Sequence, residues 1–128
     1  MNITRISEIP DGPPALGPYS PVVLADNFIF ISGQTPYDPA QGRISRGTIA
    51  EQTQLVLANI ERALTTAGAT KADVVSCRIF LNDFNEENFK AMNAVYGPFF
   101  GEHKPTRTTV GAQLLNMDIE IEAIAVRR

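Results

Sequence analysis

The chain has 128 residues, 44% of them hydrophobic and 20% charged, with a net charge of −3. That size suits one domain over residues 1–128 with one core, and the acidic balance argues against a protein that grips nucleic-acid phosphates through a basic patch. The one cysteine, Cys77, excludes an intramolecular disulfide and a cysteine-based metal cluster; no apolar run is long enough to span a membrane, the start lacks the apolar core of a signal peptide, and the cytoplasm is the expected location.

In chain order, Thr4 to Ile9 reads as a short edge strand. Pro10-Asp-Gly-Pro-Pro14 then breaks regular structure, and Gly17-Pro-Tyr-Ser-Pro21 forms a second rigid loop that holds Tyr19 in place. Val22–Ala25 and Phe28–Ser32 flank Asp26-Asn27 as a hairpin. Phe28-Ile-Phe-Ile31 shows no polar alternation, the pattern of a strand covered on both faces; Ser32-Gly33-Gln34 ends it, and 36–47 reads as a loop. Thr48-Ile-Ala-Glu51 has the form of a capping box, and an apolar stripe from Ile49 through Val56, Ile60, Ala63 and Leu64 predicts a helix over 49–67, closed by Gly68. Asp73–Leu81 predicts a strand. Asn85 caps a second helix with Phe84 and Phe89 as a hydrophobic staple, and that helix is expected to stop near Gly97-Pro98. Strands follow at Thr106–Ala112 and Asp118–Val126; in the last, Glu120 and Glu122 share one face, opposite Ile119 and Ile121.

The order β, β, β, α, β, α, β, β lets two helices cover one face of a sheet. Several strands are apolar on both faces, so the other face needs a cover too. The simplest is a second copy of the chain, which would put any groove on that face between subunits. Arg107, Glu120 and the Tyr19 loop are the candidates to line such a groove.

Arg107 lies among the β-branched residues of Lys104-Pro-Thr-Arg-Thr-Thr-Val110. A guanidinium on a packed sheet needs solvent, a surface carboxylate or the carboxylate of a ligand. With Glu120 it makes either an interface ion pair or a site that joins an anion anchor to a proton-transfer carboxylate. Glu122 can pair with Arg107 or with Arg78. His103, the one histidine, reads as solvated, and Cys77 as a small core residue. Ser32 and Thr109 are hydroxyls of the kind that satisfy backbone groups. Gly33 either admits a ligand close to the backbone or ends a strand. With His103 read as solvated no Ser/His/Asp triad assembles, and one histidine with one cysteine leaves no zinc set.

Ala15-Leu-Gly-Pro-Tyr-Ser20, Ile31-Ser-Gly-Gln34, Met92-Asn-Ala-Val-Tyr96 with Phe99-Phe100, Pro105-Thr-Arg-Thr-Thr-Val110 and Ile119-Glu-Ile-Glu-Ala-Ile-Ala-Val126, in that order, resemble the RidA (YjgF) family of reactive-intermediate deaminases, also labelled L-PSP endoribonuclease. The resemblance spans nearly the whole chain. It implies an α+β, chorismate-mutase-like subunit, with a six-stranded mixed sheet and two helices on one face, in a homotrimer with clefts between subunits. The implied activity is hydrolysis of 2-aminoacrylate, 2-aminocrotonate and related enamines or imines to 2-keto acids and ammonia, a form of metabolite damage control, with no metal or organic cofactor and no nucleic-acid partner. By resemblance, Arg107 binds the substrate carboxylate, Glu120 positions water and assists proton transfer, and Tyr19, Ser32, Gly33, Asn93 and Thr109 line the pocket. The alternative is a non-catalytic module that senses a small carboxylate in the same cleft. Two departures stand out. Thr109 replaces a cysteine found in many members, and the connection from Arg107 to Glu120 is slightly shorter than is common.

Overall fold

The computed structural model describes residues 1–128. Its strands are β1 Ile3–Ile6, β2 Val22–Ala25, β3 Phe28–Gln34, β4 Tyr37–Asp38, β5 Arg43–Ile44, β6 Val74–Leu81, β7 Thr106–Gly111 and β8 Ile119–Val126; the helices are α1 Ile49–Thr66 and α2 Glu86–Phe100. Six strands form one mixed sheet in the order β1-β2-β3-β8-β6-β7. Every pairing is antiparallel except β6 with β7. A parallel pair needs a crossover between its strands, and α2 supplies it.

Side-chain parity then decides the two faces. Ile119, Ile121, Ala123 and Ala125 of β8 are buried with Ile29 and Ile31 of β3 and with Cys77, Ile79 and Leu81 of β6. They join Val56, Leu57, Ile60 and Leu64 of α1 and Met92, Tyr96 and Phe100 of α2 in one hydrophobic cluster. Both helices thus cover one face, as expected. On the other face Phe28, Phe30 and Val110 are 41–50% exposed in the single chain. The apolar pattern on this side has no cover within the chain itself.

The local signals of α1 and of the start of α2 read correctly. Thr48 and Glu51 make the reciprocal capping box. Asn85 Oδ1 accepts from the Asn88 backbone at 2.8 Å, and Phe84 stacks on Phe89 at 5.6 Å between ring centres. Gly68 has φ +79°, and its N–H and that of Ala69 donate to the carbonyls of Thr65 and Leu64. These two bonds form a Schellman closure. Gly68→Ala keeps them only with an alanine in the left-handed region, so it is expected to cost about 1–2 kcal/mol, read as a lower urea midpoint with an unchanged slope.

Four expectations about the elements need correction. First, α2 does not stop at Gly97-Pro98 but runs to Phe100. Gly97 has no Cβ to clash with the proline ring, Ala94, whose carbonyl loses its helical donor at Pro98, is exposed, and Phe100 is buried against Tyr96 and Phe99 at ring distances of 4.9 Å. Packing of the last turn outweighs the breaker. Second, β3 does not end at Ile31 or Ser32. Ile31 pairs with Ala123 and Gln34 with Ile121, so two residues, Ser32 and Gly33, oppose Glu122 alone in a β-bulge. Third, the 36–47 loop contains the short β4–β5 hairpin. Fourth, at the N-terminus β1 covers Ile3–Ile6, and Ile9 is instead a buried anchor beyond the strand.

Candidate functional site

The pairing of β6 with β7 sets Arg107 beside Cys77, a residue of the helix-covered face. Arg107 therefore points toward α2. Its Nη1 donates to Asn93 Oδ1 at 2.7 Å, and its guanidinium carbon lies 4.9 Å from the Tyr96 ring centre and 5.5 Å from that of Phe89. The chain has three ion pairs and Arg107 is in none of them. Glu122 pairs with Arg78 at 3.2 Å, which decides between the two partners open to it. Arg107 is thus partly buried, oriented by one amide and two aromatic faces, and has no carboxylate of its own. With Asn93, Tyr96 and Lys104 it lines a hollow of about 340 Å3.

Glu120 is paired with Phe80, on the opposite face of the sheet. Within a single chain Arg107 and Glu120 do not share the bare face, because the register gives them opposite parity; the groove expected to join them is one between subunits. Glu120 is partly buried, and its carboxyl is pushed above the ordinary range, first by burial and second by the neighbouring Glu122 charge. It lies against the bulge. A Cβ placed on Gly33 would sit 2.3 Å from Glu120 Oε1, so Gly33 is there for a close approach rather than to end a strand.

The bulge also holds the Tyr19 loop. The Ser32 N–H donates to Pro21 O at 2.9 Å and its hydroxyl to Ser20 O at 2.7 Å. Ser32 thus satisfies a backbone group, as expected, while it fixes the segment that carries Tyr19. Tyr19 and Gly33 line a hollow of about 430 Å3. Ser32 lines another of about 400 Å3 on the bare face with Phe30, Arg78 and Glu122.

The expected residues therefore fall into two groups. Tyr19, Ser32, Gly33 and Glu120 gather around the bulge; Asn93, Arg107 and Thr109 stand between β7 and α2. Thr109 shares the parity of Arg107, pairing with Ile79. Its buried hydroxyl has no partner, contrary to the expectation that it serves the backbone. Cys77 is buried, and burial pushes its thiol up to about 11, as suits a core residue. His103 is exposed. No cluster of three or more His, Cys, Asp or Glu side chains is placed to hold a metal ion, and no helix is long and apolar enough to cross a membrane.

Sequence reasoning missed the aromatic flanks of Arg107. Phe89 read as half of a staple and Tyr96 as the end of the Met92–Tyr96 motif, yet with Asn93 they recur at i, i+4 and i+7 and meet one guanidinium. The signal was that spacing beside an arginine strand.

The family model described as Endoribonuclease L-PSP matches residues 10–127. A RutC family protein of Pyrococcus horikoshii is 45% identical over 119 residues, covering 91% of this chain and 93% of the relative. The 2-iminobutanoate/2-iminopropanoate deaminase of Capra hircus is 39% identical over 127 residues, covering 98% and 91%. Among solved structures, E. coli TdcF with bound serine superposes with a TM-score of 0.88 at 35% identity, covering 98% of this chain and 100% of that one. Because the match takes in the Tyr19 loop, the bulge, the arginine strand and the final glutamate strand together, the chain belongs to the RidA (YjgF) or L-PSP family.

Proposed function

We propose that the protein hydrolyses reactive 2-imino acids and their enamine tautomers, such as 2-aminoacrylate and 2-aminocrotonate, to 2-keto acids and ammonia. It does so as a chorismate-mutase-like homotrimer, in clefts that take the Arg107 group from one subunit and the Glu120 group from the next. The observation that carries the reading is the Arg107 guanidinium: partly buried, pre-oriented by Asn93, Tyr96 and Phe89, and lacking any carboxylate partner. The opposite parity of Arg107 and Glu120 supports assembly, since one chain cannot offer both to one small molecule. β7 is the edge of the sheet, which presents Arg107 at the margin where a neighbour would lie. The uncovered Phe28, Phe30 and Val110 face gives that neighbour apolar surface to bury.

In the reaction R–C(=NH)–COO⁻ + H₂O → R–C(=O)–COO⁻ + NH₃, Arg107 holds the carboxylate by parallel N–H bonds. A protonated Glu120, favoured by its raised pKa, gives its proton to the imine nitrogen as water adds to the carbon. As carboxylate it takes a proton from the added water, passes it to the amino nitrogen, and takes the remaining hydroxyl proton as the C–N bond breaks, so that ammonia leaves with three hydrogens and Glu120 ends protonated. Orientation, one placed water and one mobile proton suffice, so no metal or organic cofactor is called for. Tyr19, Gly33 and Thr109 shape the pocket, and Ser32 holds the Tyr19 loop.

The serine held by the E. coli relative favours a second reading, a module that binds a small amino or keto acid without turnover. One experiment separates the two. The protein is added to a pyridoxal-phosphate dehydratase that generates 2-aminoacrylate in place, and ammonia release is followed. Acceleration proportional to protein concentration supports the deaminase; ligand-induced thermal protection without acceleration supports the binder. Sedimentation at three times the chain mass tests the trimer in the same sample.

A further inference from the structure

We propose that the preferred substrates are 2-imino dicarboxylates, whose second carboxylate is taken by Arg43 and Arg46. This rests on the deaminase reading and adds the substrate's side chain to it. The hollow of about 430 Å3 that Tyr19 and Gly33 line continues to Arg43 and Arg46, and no Asp or Glu lines it. The chain has eight arginines. Arg62, Arg78, Arg107, Arg127 and Arg128 each donate a side-chain hydrogen bond. That leaves Arg5, Arg43 and Arg46 engaging nothing, and two of these three meet in one hollow. Asp38 is the cross-strand neighbour of Arg43, but neither Arg43 nor Arg46 makes an ion pair.

The wall that carries them is built rather than loose. Arg43 is in β5, paired with Asp38 of β4. Fully buried Asn59 of α1 donates to Thr35 O and Tyr37 O, both at 3.0 Å, and ties the hairpin to the helix. Ser45 N donates to Pro36 O, and Gly47 O accepts from Gln52 Nε2 at 2.8 Å, so the backbone on either side of Arg46 is pinned. At its other end the hollow reaches Gly33, against which the Glu120 carboxyl lies. A substrate whose imine carbon is beside Glu120 therefore extends its side chain along a wall that ends in two unpaired guanidinium groups. Such a wall disfavours a cationic side chain and leaves an apolar one facing hydrated charge. A carboxylate meets two charge-assisted donors.

The test compares 2-iminoglutarate with 2-iminobutanoate, each generated in place by an amino-acid oxidase, with ammonia release read for the wild type, Arg43→Gln/Arg46→Gln and Arg46→Glu. The expected result is a kcat/KM about tenfold higher for the dicarboxylate. That ratio should collapse in the double variant, fall below one in Arg46→Glu, and shrink as salt is raised. A wild-type ratio at or below one, or a ratio unmoved by the double variant, overturns the proposal while leaving the deaminase reading intact. If neither imine is hydrolysed faster, the deaminase reading falls, and binding of 2-oxoglutarate against 2-oxobutanoate decides the arginine assignment. Tighter 2-oxoglutarate binding that is lost in the double variant upholds it; equal binding overturns it. Both arginines are exposed, and an unchanged thermal midpoint verifies the fold of each variant.

Discussion

Glu120→Gln is expected to lower kcat for imine hydrolysis by about 100- to 10,000-fold, the usual contribution of a positioned acid or base. Glutamine keeps the shape and loses the proton. The wild-type pH profile should carry the signature of the same group. Burial, and then the Glu122 charge, raise its pKa, so the acid form persists above the usual carboxylate range and the rate falls as pH rises through that raised value. Glu120→Gln removes this limb, and Glu122→Gln moves it to lower pH by deleting the repelling charge. A geometric variant tests the same point without touching the carboxyl. Gly33→Ala puts a methyl 2.3 Å from Oε1 and 2.8 Å from the carboxyl carbon. The side chain must swing away, and kcat should fall while the fold survives.

Stability gives an independent reading. A raised carboxyl pKa means the folded state binds the proton more tightly than the unfolded one, so stability is lost as pH rises from the unfolded pKa through the folded one. Glu120→Gln should therefore melt higher than wild type at pH 7 and close to it near pH 4. Equal melting at both values, with kcat and its pH profile unaltered, would leave Glu120 without a special role.

Arg107→Ala is the second large effect, an expected loss of about 10- to 150-fold in kcat/KM, carried mostly by KM. Alanine removes the charged donors that meet the substrate carboxylate. Arg107→Lys is not expected to restore them, because a point charge cannot reproduce two parallel N–H bonds or stack on Tyr96 and Phe89. Asn93→Ala frees the guanidinium from its 2.7 Å tether and should give a smaller loss in the same direction. The two cation–π contacts contribute on the order of 1 kcal/mol each, so a modest fall in melting temperature accompanies Arg107→Ala. Full activity in a folded Arg107→Ala protein would end the deaminase assignment.

Much of the architecture was legible before any coordinates. The Thr48–Glu51 box, the Asn85 cap with its Phe84–Phe89 staple and Gly68 are local devices, each formed by residues within five positions of one another, and the chain alone specifies them. The alternation of β8 announced its faces for the same reason. The misread points were those where a distant neighbour decided. Pro98 looked like an end until the core claimed Phe100. Ser32-Gly33 looked like an end until β8 drew the strand past a bulge. Phe89 looked like half of a staple and Tyr96 like the end of a motif until Arg107 came to lie against both rings.

The family, the mixed α+β composition and the candidacy of Arg107 and Glu120 were legible in the amino-acid order, because they rest on motifs read along the chain. Which face each of the two occupies was not. Parity along a strand is free until hydrogen bonding sets a register, and only the pairing of Cys77 with Arg107 and of Phe80 with Glu120 put them on opposite sides. Two unpaired arginines on one wall beside Gly33 belong to the same class of fact, because a hollow is made by segments that meet in space and not along the chain.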